Sequence, residues 1–526
     1  MNSIWKITLT ATVISILISL SIVAIYYTRV DSQIDSNCFT AAILDHRPFY
    51  GKNVNENIDQ NFRIFINATI LAKERDVDLI VFAESGLMTG IHDRKMALEY
   101  SIQIPNELTH LCENVEQIYD SSVSVLKRLS CLAMKYEIFL VAQLLDKQPC
   151  TRNITTECRD NYYIYNTAVL FDRVGQLVAK YHKMQPYGEM FLDPAQHDEL
   201  IYIDTSLGRF GFQICFDVIY KKPGHILATE YDVDTIIFPT HWMDEAPFLS
   251  ASQFQMAWAF GNNVSLLASN IHHPFQAGSL GSGIYNGGPE RTFLNAHFTE
   301  DDAERLVIGR LPIHPRSTTR AKCNKYKDEI IEIPVAGREI ITNGTYKYKQ
   351  MNNTNVMMKA LNIGQEEIEL EHQGVKCHLK FEGNLSQSNQ DGQYFLIGSN
   401  RSRANPSYEW GEEFCALVYC IENVDETCGK YSSNQLPLFY HVKLTATFDL
   451  KTVVYPSVLE YQNRLIPMDD VWTVSSKIQG TTKIHELVFG SLSFNSVGKL
   501  YRPLSTLSLY GRAYERDPIY KQKPAD

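Results

Sequence analysis

The sequence predicts an α/β layered domain followed by a smaller, mainly β domain. Up to about residue 315, short apolar strand-like runs alternate with segments of helical periodicity. Beyond about residue 330 the pattern becomes short strands with alternating faces. At 526 residues and 44% apolar composition, the chain is too long for one ordinary core and apolar enough to bury a large one.

The elements follow in order. CFTAAIL is a strand; Ile58, Phe62, Phe65, Ile66 and Ile70 share one helical face; DLIVF is a second strand. NTAVLFD and QLVAKYHK flank Arg173, Val174 and Gly175 as a hairpin, and GRFGFQICFD carries another strand. DTIIFPTHW, FLSASQFQMAWAF and SLLASNI then read as strand, helix and strand. In HVKLTATFDL, Val442, Leu444, Ala446, Phe448 and Leu450 share one face, and IHELVFGSLSF and LSTLSLYGRAY repeat the alternation. The polar stretch His314 to Asp328 reads as a linker, which divides the chain into 38–315 and 330–526.

A net charge of -11 without a long Lys/Arg run argues against nucleic-acid partners and a polybasic membrane patch. Residues 1–30 hold an uncharged apolar run from Ile7 to Tyr27, long enough to cross a bilayer. It reads as a signal anchor, or else a signal peptide, with the bulk of the chain secreted or displayed at the cell surface. Membrane contact is then expected only through that segment. Of 11 cysteines, setting Cys215 aside leaves ten, an even number suited to disulfides in an exported protein. Sequons at Asn67, Asn153, Asn343, Asn352, Asn384 and Asn400 are glycosylation candidates, whereas Asn263 reads as the start of a buried strand.

Three strands end in chemically useful residues: Glu84 after DLIVFA, Lys183 after LVAKYH and Cys215 after FGFQI. Amide carbonyls are poor electrophiles, so a thiolate that forms a thioester divides one hard step into two easier ones. A carboxylate such as Glu84 can take the thiol proton, pass it to the leaving amine and then activate water. The Lys183 ammonium and the Phe216 amide can stabilise the oxyanion. Singly, each residue is more often an ordinary buried thiol or a solvated strand end. Together they point to cleavage of amide C–N bonds.

The set FAESG, YHK, ICFD, FPTHWMD, QMAWAF, LASNIHH and GSGIY, with NTAVLFDRVGQLVAKYHK and FCALVYCIENVDETCG downstream, resembles the nitrilase (carbon-nitrogen hydrolase) superfamily. Within it the chain is similar to the vanin and biotinidase branch, closest to its insect-type vanin-like members, over nearly everything after residue 38. The resemblance implies an αββα sandwich with a Glu84, Lys183 and Cys215 triad, a helper glutamate at Glu189, and no cofactor or metal. It implies an extracellular hydrolase of a small linear amide, pantetheine to pantothenate and cysteamine. The alternatives are biotinidase-like cleavage of biocytin or biotinyl amides, or a catalytically silent surface glycoprotein. An intact triad counts against silence. Mammalian vanins end in a hydrophobic GPI signal, whereas this sequence ends YERDPIYKQKPAD, so no such anchor is expected.

His241 and Trp242, after FPT, are candidate substrate contacts, although an aromatic residue at a strand end is more often core. His272 and His273 are expected to line the pocket mouth or to pack. Cys415, Cys420 and Cys428 have metal-like spacing, but disulfides are the expectation in an exported chain.

Overall fold

The computed structural model describes residues 37–518, apart from 107, 152–157, 159, 318–322, 324–327, 343, 363, 385–391, 405–407, 422–427, 430–437, 461–463, 467–470 and 491–501. The N-terminal apolar run, the sequons at Asn153 and Asn343, most of the stretch expected as a linker and the last eight residues lie outside the described residues, as does the side chain of Asn384.

Two sheets stack face to face. The first runs Glu329–Glu332, Arg305–Pro312, Cys38–Asp45, Leu79–Val81, Phe139–Pro149, Tyr162–Phe171, Gln176–His182, Thr109–His110. The second runs Thr292–Ala296, Ser282–Asn286, Ser265–Ser269, Thr235–Pro239, Gly208–Phe212, Tyr202–Thr205. Strand alternation divides the side chains between layers. Ala41, Ile43, Leu79 and Val81 meet Phe210, Phe212, Ile237 and Leu267 between the sheets. On the outer side, Ala42, Leu44, Ile80 and Phe82 pack under Phe62, Phe65, Leu129 and Leu132 of the helices Val54–Lys73 and Val125–Tyr136. The second sheet turns Ile236, Phe238, Leu266 and Ala268 toward Met256, Ala257 and Phe260 of the helix Ala251–Asn262. The result is the expected helix–sheet–sheet–helix sandwich.

The C-terminal half is antiparallel β. Met357–Ala360, Gly392–Ala404, Glu409–Ile421, Arg502–Arg512, Leu438–Asp449, Val375–Asn384 and Glu367–His372 pair in that order. Val453–Glu460 adds to Arg502–Arg512, and the hairpin Trp472–Gln479 and Thr482–Phe489 adds to Leu438–Asp449. Val442, Leu444, Ala446 and Phe448 are buried as their alternation requires. Leu450 is exposed, because the strand ends at Asp449 and the chain turns away before it.

Two features depart from a reading of separate blocks. Glu329–Glu332 pairs with Arg305–Pro312, Ile330 opposite Val307 and Ile331 opposite Leu306, so the first sheet continues past residue 315. The two halves also share one core. Phe248 meets Phe414 with ring centroids 4.8 Å apart, Phe254 meets Tyr455 at 5.8 Å, and Gln253 Nε2 donates to Ser457 Oγ at 2.9 Å. Five disulfides join Cys38–Cys323, Cys112–Cys131, Cys150–Cys158, Cys377–Cys415 and Cys420–Cys428, and Cys215 stays free and buried.

Candidate active site

Strand ends bring the chemistry together. Glu84 follows Val81 by three residues, Lys183 follows His182 directly, and Cys215 follows Phe212 by three, starting the short 3-10 helix Cys215–Ile219. In layered α/β sheets the carboxyl ends of strands are where loops can converge on a ligand. Cys215 adopts φ 45, a left-handed conformation that costs a non-glycine residue about 1–3 kcal/mol. The sandwich on either side supports this turn, which stands the thiol at the edge of a cavity.

Lys183 Nζ donates to Glu84 Oε1 at 2.6 Å and to Glu189 Oε2 at 2.7 Å, and both Lys183 and Glu84 are buried. Asn166 spans the two acids: its Nδ2 donates to Glu84 Oε1 at 2.8 Å and to Glu189 Oε1 at 2.7 Å. The second oxygen of Glu84 accepts from the His241 backbone N–H at 2.9 Å.

This enclosure sets the protons. Burial pushes the Glu84 carboxyl up, but the Lys183 charge and hydrogen bond outweigh it and hold the group below its ordinary value of 4.5. Burial works against the Lys183 ammonium, yet Glu189, Glu84 and Cys215 raise it well above 10.5. The Cys215 thiol is driven well above its ordinary 9.0 by burial and then by the Glu84 carboxylate, with Lys183, the Thr240 hydroxyl and the His241 N–H opposing. At rest the site therefore holds a thiol, a carboxylate and an ammonium. Two acceptors occupy Lys183 Nζ, which leaves its third proton for a substrate oxygen. Phe216 is the second residue of its turn, and N–H groups at the start of a helical turn have no partner within it.

The cavity over Cys215 has a volume of about 610 Å3. Phe216, His241, Trp242, Leu249 and Tyr187 form its inner wall, and Lys349, Asn355, Arg401, Arg403 and Trp410 from the C-terminal half form the outer one. Trp242 is fixed by a hydrogen bond from Nε1 to Leu249 O at 2.8 Å, and burial keeps the His241 imidazole below its ordinary value of 6.5. Arg403 pairs with Glu245 across the cavity, and its guanidinium lies 4.9 Å from the Trp410 ring centroid.

The structure thus gathers Glu84, Lys183, Cys215, Glu189, Phe216, His241 and Trp242 at one place. It leaves the other histidines out of the cavity. His272 Nδ1 lies 3.0 Å from Asp45 Oδ2, both fully buried, and the His273 ring packs 5.6 Å from Tyr50. Among the described residues, Glu367, Glu369 and His378 form the one cluster with metal-like spacing, on the C-terminal sheet and outside the cavity wall. Asn67 and Asn352 are exposed, and Asn352 also lines the cavity mouth. Asn400 is half-buried, with Nδ2 donating to Gln373 O at 3.0 Å. Asn263 is exposed as the left-handed C-cap of the helix Ala251–Asn262, and the strand expected there begins two residues later, at Ser265.

Asn166, Thr240 and the C-terminal wall carry no motif in the sequence that marks them as part of the site. Asn166 has one readable signal, a carboxamide that with Thr167 opens the otherwise apolar run NTAVLF.

Residues 40–259 match the carbon-nitrogen hydrolase family model, and residues 346–517 match the vanin C-terminal domain model. Pantetheinase of Canis lupus familiaris is 30% identical over 474 residues, covering 88% of this chain and 85% of that protein. Pantetheinase of Homo sapiens is 28% identical over 515 residues, covering 94% of this chain and 92% of that protein. Biotinidase of Mus musculus is 32% identical over 296 residues, covering 54% of this chain and 56% of that protein.

Proposed function

We infer, from a chain that belongs to the vanin and biotinidase branch of the carbon-nitrogen hydrolase superfamily, that it hydrolyses pantetheine to pantothenate and cysteamine through a Cys215 thioester. The chain is a hydrolase of linear amide C–N bonds. The observation that carries the mechanism is the buried contact of Lys183 with Glu84 and Glu189 beside the one free thiol.

Glu84 removes the Cys215 proton as sulfur attacks the amide carbonyl, forming the C–S bond. The oxyanion lies against the free proton of Lys183 and the Phe216 N–H, donors fixed in a water-poor site. Glu84 then gives the proton to the departing amine, so the C–N bond breaks and cysteamine leaves. A water molecule deprotonated by the same carboxylate attacks the thioester, and Cys215 regains its proton as pantothenate departs. Glu189 and Asn166 hold Lys183 and Glu84 in register.

Pantetheinases match 88% and 94% of this chain at 30% and 28% identity and the biotinidase of Takifugu rubripes matches 92% at 27%, so the length of the match does not separate pantetheine from biotinyl amides and the choice falls to the assay. Five disulfides and the N-terminal apolar run support a secreted or surface-displayed enzyme. The test is product release from pantetheine and biocytin, side by side, on purified ectodomain. Faster turnover of pantetheine by at least about tenfold in kcat/KM, close to 1.4 kcal/mol of discrimination, is expected. Equal or inverted preference would replace the substrate assignment.

A further inference from the structure

We propose that Tyr408, a residue of the C-terminal β half, is a positioning residue for the amide-hydrolysis site and acts through Glu189. The proposal rests on the triad reading above and goes beyond it by assigning the C-terminal half a part in catalysis.

The loop that carries Glu189 has no regular secondary structure of its own. It runs Pro186, Tyr187, Gly188, Glu189, starting three residues after Lys183, and Gly188 takes φ +69, a conformation that favours glycine. Backbone of this kind keeps one shape only if something holds it. Tyr408 supplies that hold from the other half of the molecule. Its hydroxyl donates to Pro186 O at 2.6 Å and accepts from the Gly188 N–H, so the two bonds grip the loop on both sides of Tyr187. The rings of Tyr408 and Tyr187 stack with centroids 5.0 Å apart and planes at 20°. Glu189 is the next residue, and its two oxygens serve Lys183 and Asn166.

The same ring lies 4.9 Å from Phe216, edge to face. Phe216 follows the nucleophile and provides the oxyanion N–H in the mechanism above. One phenol buried to 5% exposure therefore touches the loop beside the ammonium and the residue beside the thiol. A shift of that loop by a fraction of an ångström would move Glu189 relative to Lys183. Lys183 would then lean on Glu84 alone, away from the position where its third proton meets the oxyanion. Errors of this size in a supporting shell lower turnover while leaving the cavity available to substrate.

Tyr408→Phe keeps the stacking and removes both hydrogen bonds. The expected result is a kcat lower by roughly tenfold or more, the range seen for outer-shell partners, with KM changed by less than about twofold. In a Glu189→Gln background the same substitution should add little, since its route has already been cut. Tyr408→Ala, which also loses the stacking, should lower kcat further. Wild-type kcat in Tyr408→Phe would overturn the proposal, including the case where only the melting midpoint falls, because that marks a structural brace. Full additivity with Glu189→Gln would overturn the route through Glu189. Cys215→Ala, assayed in parallel, separates the two readings: turnover by Cys215→Ala sinks the triad, whereas an inert Cys215→Ala beside an unaffected Tyr408→Phe sinks only the role of Tyr408.

Discussion

Lys183 Nζ lies 2.6 Å from Glu84 Oε1, and neither side chain exposes more than 3% of its surface. An ion pair so enclosed is costly to break from one side, because the surviving charge has no water to turn to. The same contact keeps the carboxylate ionised, the state that the proposed role of general base requires.

The first prediction separates stability from catalysis in that pair. Lys183→Met leaves Glu84 and Glu189 facing each other without a cation and should destabilise the fold by about 3–5 kcal/mol. It should also raise the chemical barrier by roughly 3 kcal/mol or more. Adding Glu84→Gln should recover part of the stability and none of the activity, as read by denaturant unfolding beside single-turnover kinetics. Recovery of turnover in the double variant would remove both residues from the mechanism.

The pH profile of kcat/KM should be flat through neutrality on the enzyme side. Glu84 must be ionised to act as base, and its pKa lies below 4.5, so activity should fall only as the pH drops past that value, by about tenfold per unit. Lys183 stays charged above 10.5 and the thiol stays protonated past 9.0, so neither gives a limb near neutral pH. An acid limb centred near 7 would assign the base to another group.

Asn166→Ala removes the amide that spans Glu84 and Glu189. It should lower kcat by about 10–100-fold, as loss of an orienting partner does. Asn166→Asp should be worse, since a third carboxylate would face the first two. Steady-state kinetics on both variants, with circular dichroism to confirm folding, tests this; activity in Asn166→Asp equal to that in Asn166→Ala would contradict it.

His182 gives a pH dependence of stability that is separate from catalysis. Its Nδ1 lies 2.7 Å from Glu199 Oε1 and its Nε2 lies 2.9 Å from Asp146 Oδ2. Burial lowers the imidazole pKa, but the hydrogen bonds it donates to Asp146 and Glu199 carry it above the ordinary 6.5. A folded value above the unfolded one means that the stabilisation is complete below 6.5 and fades as the pH rises through the higher folded value. Chemical denaturation of wild type should show that loss on the alkaline side of 6.5, and His182→Gln should flatten it. A variant whose stability falls with the same slope would show that another group is responsible.

Much of this arrangement is legible in the sequence because it is local. Alternation within CFTAAIL and DLIVF marks buried strands, and Glu84, Lys183 and Cys215 stand out as polar residues at the ends of apolar runs. Position across the molecule is not local. Tyr408 lies 222 residues from Pro186 and meets it only through the packing of the two halves. Asn166 sits inside a strand whose pattern reads as core, and only the arrival of Glu84 and Glu189 gives its amide a purpose. The shared core was hidden for the same reason, since the apolar residues of FLSASQFQMAWAF look the same whether they cover a sheet or are themselves covered.

In the helix Ala251–Asn262 every residue except Gly261 is buried. A polypeptide ending near residue 340, whether from a premature stop codon or a protease cut, would bare the faces of Phe254 and Phe248 that the C-terminal half covers. Tyr455, Phe414 and Tyr510, which the intact chain places against them, all come from the missing part. Such a fragment would be an adhesive surface rather than a smaller enzyme, and shortened forms of this chain are expected in the insoluble fraction.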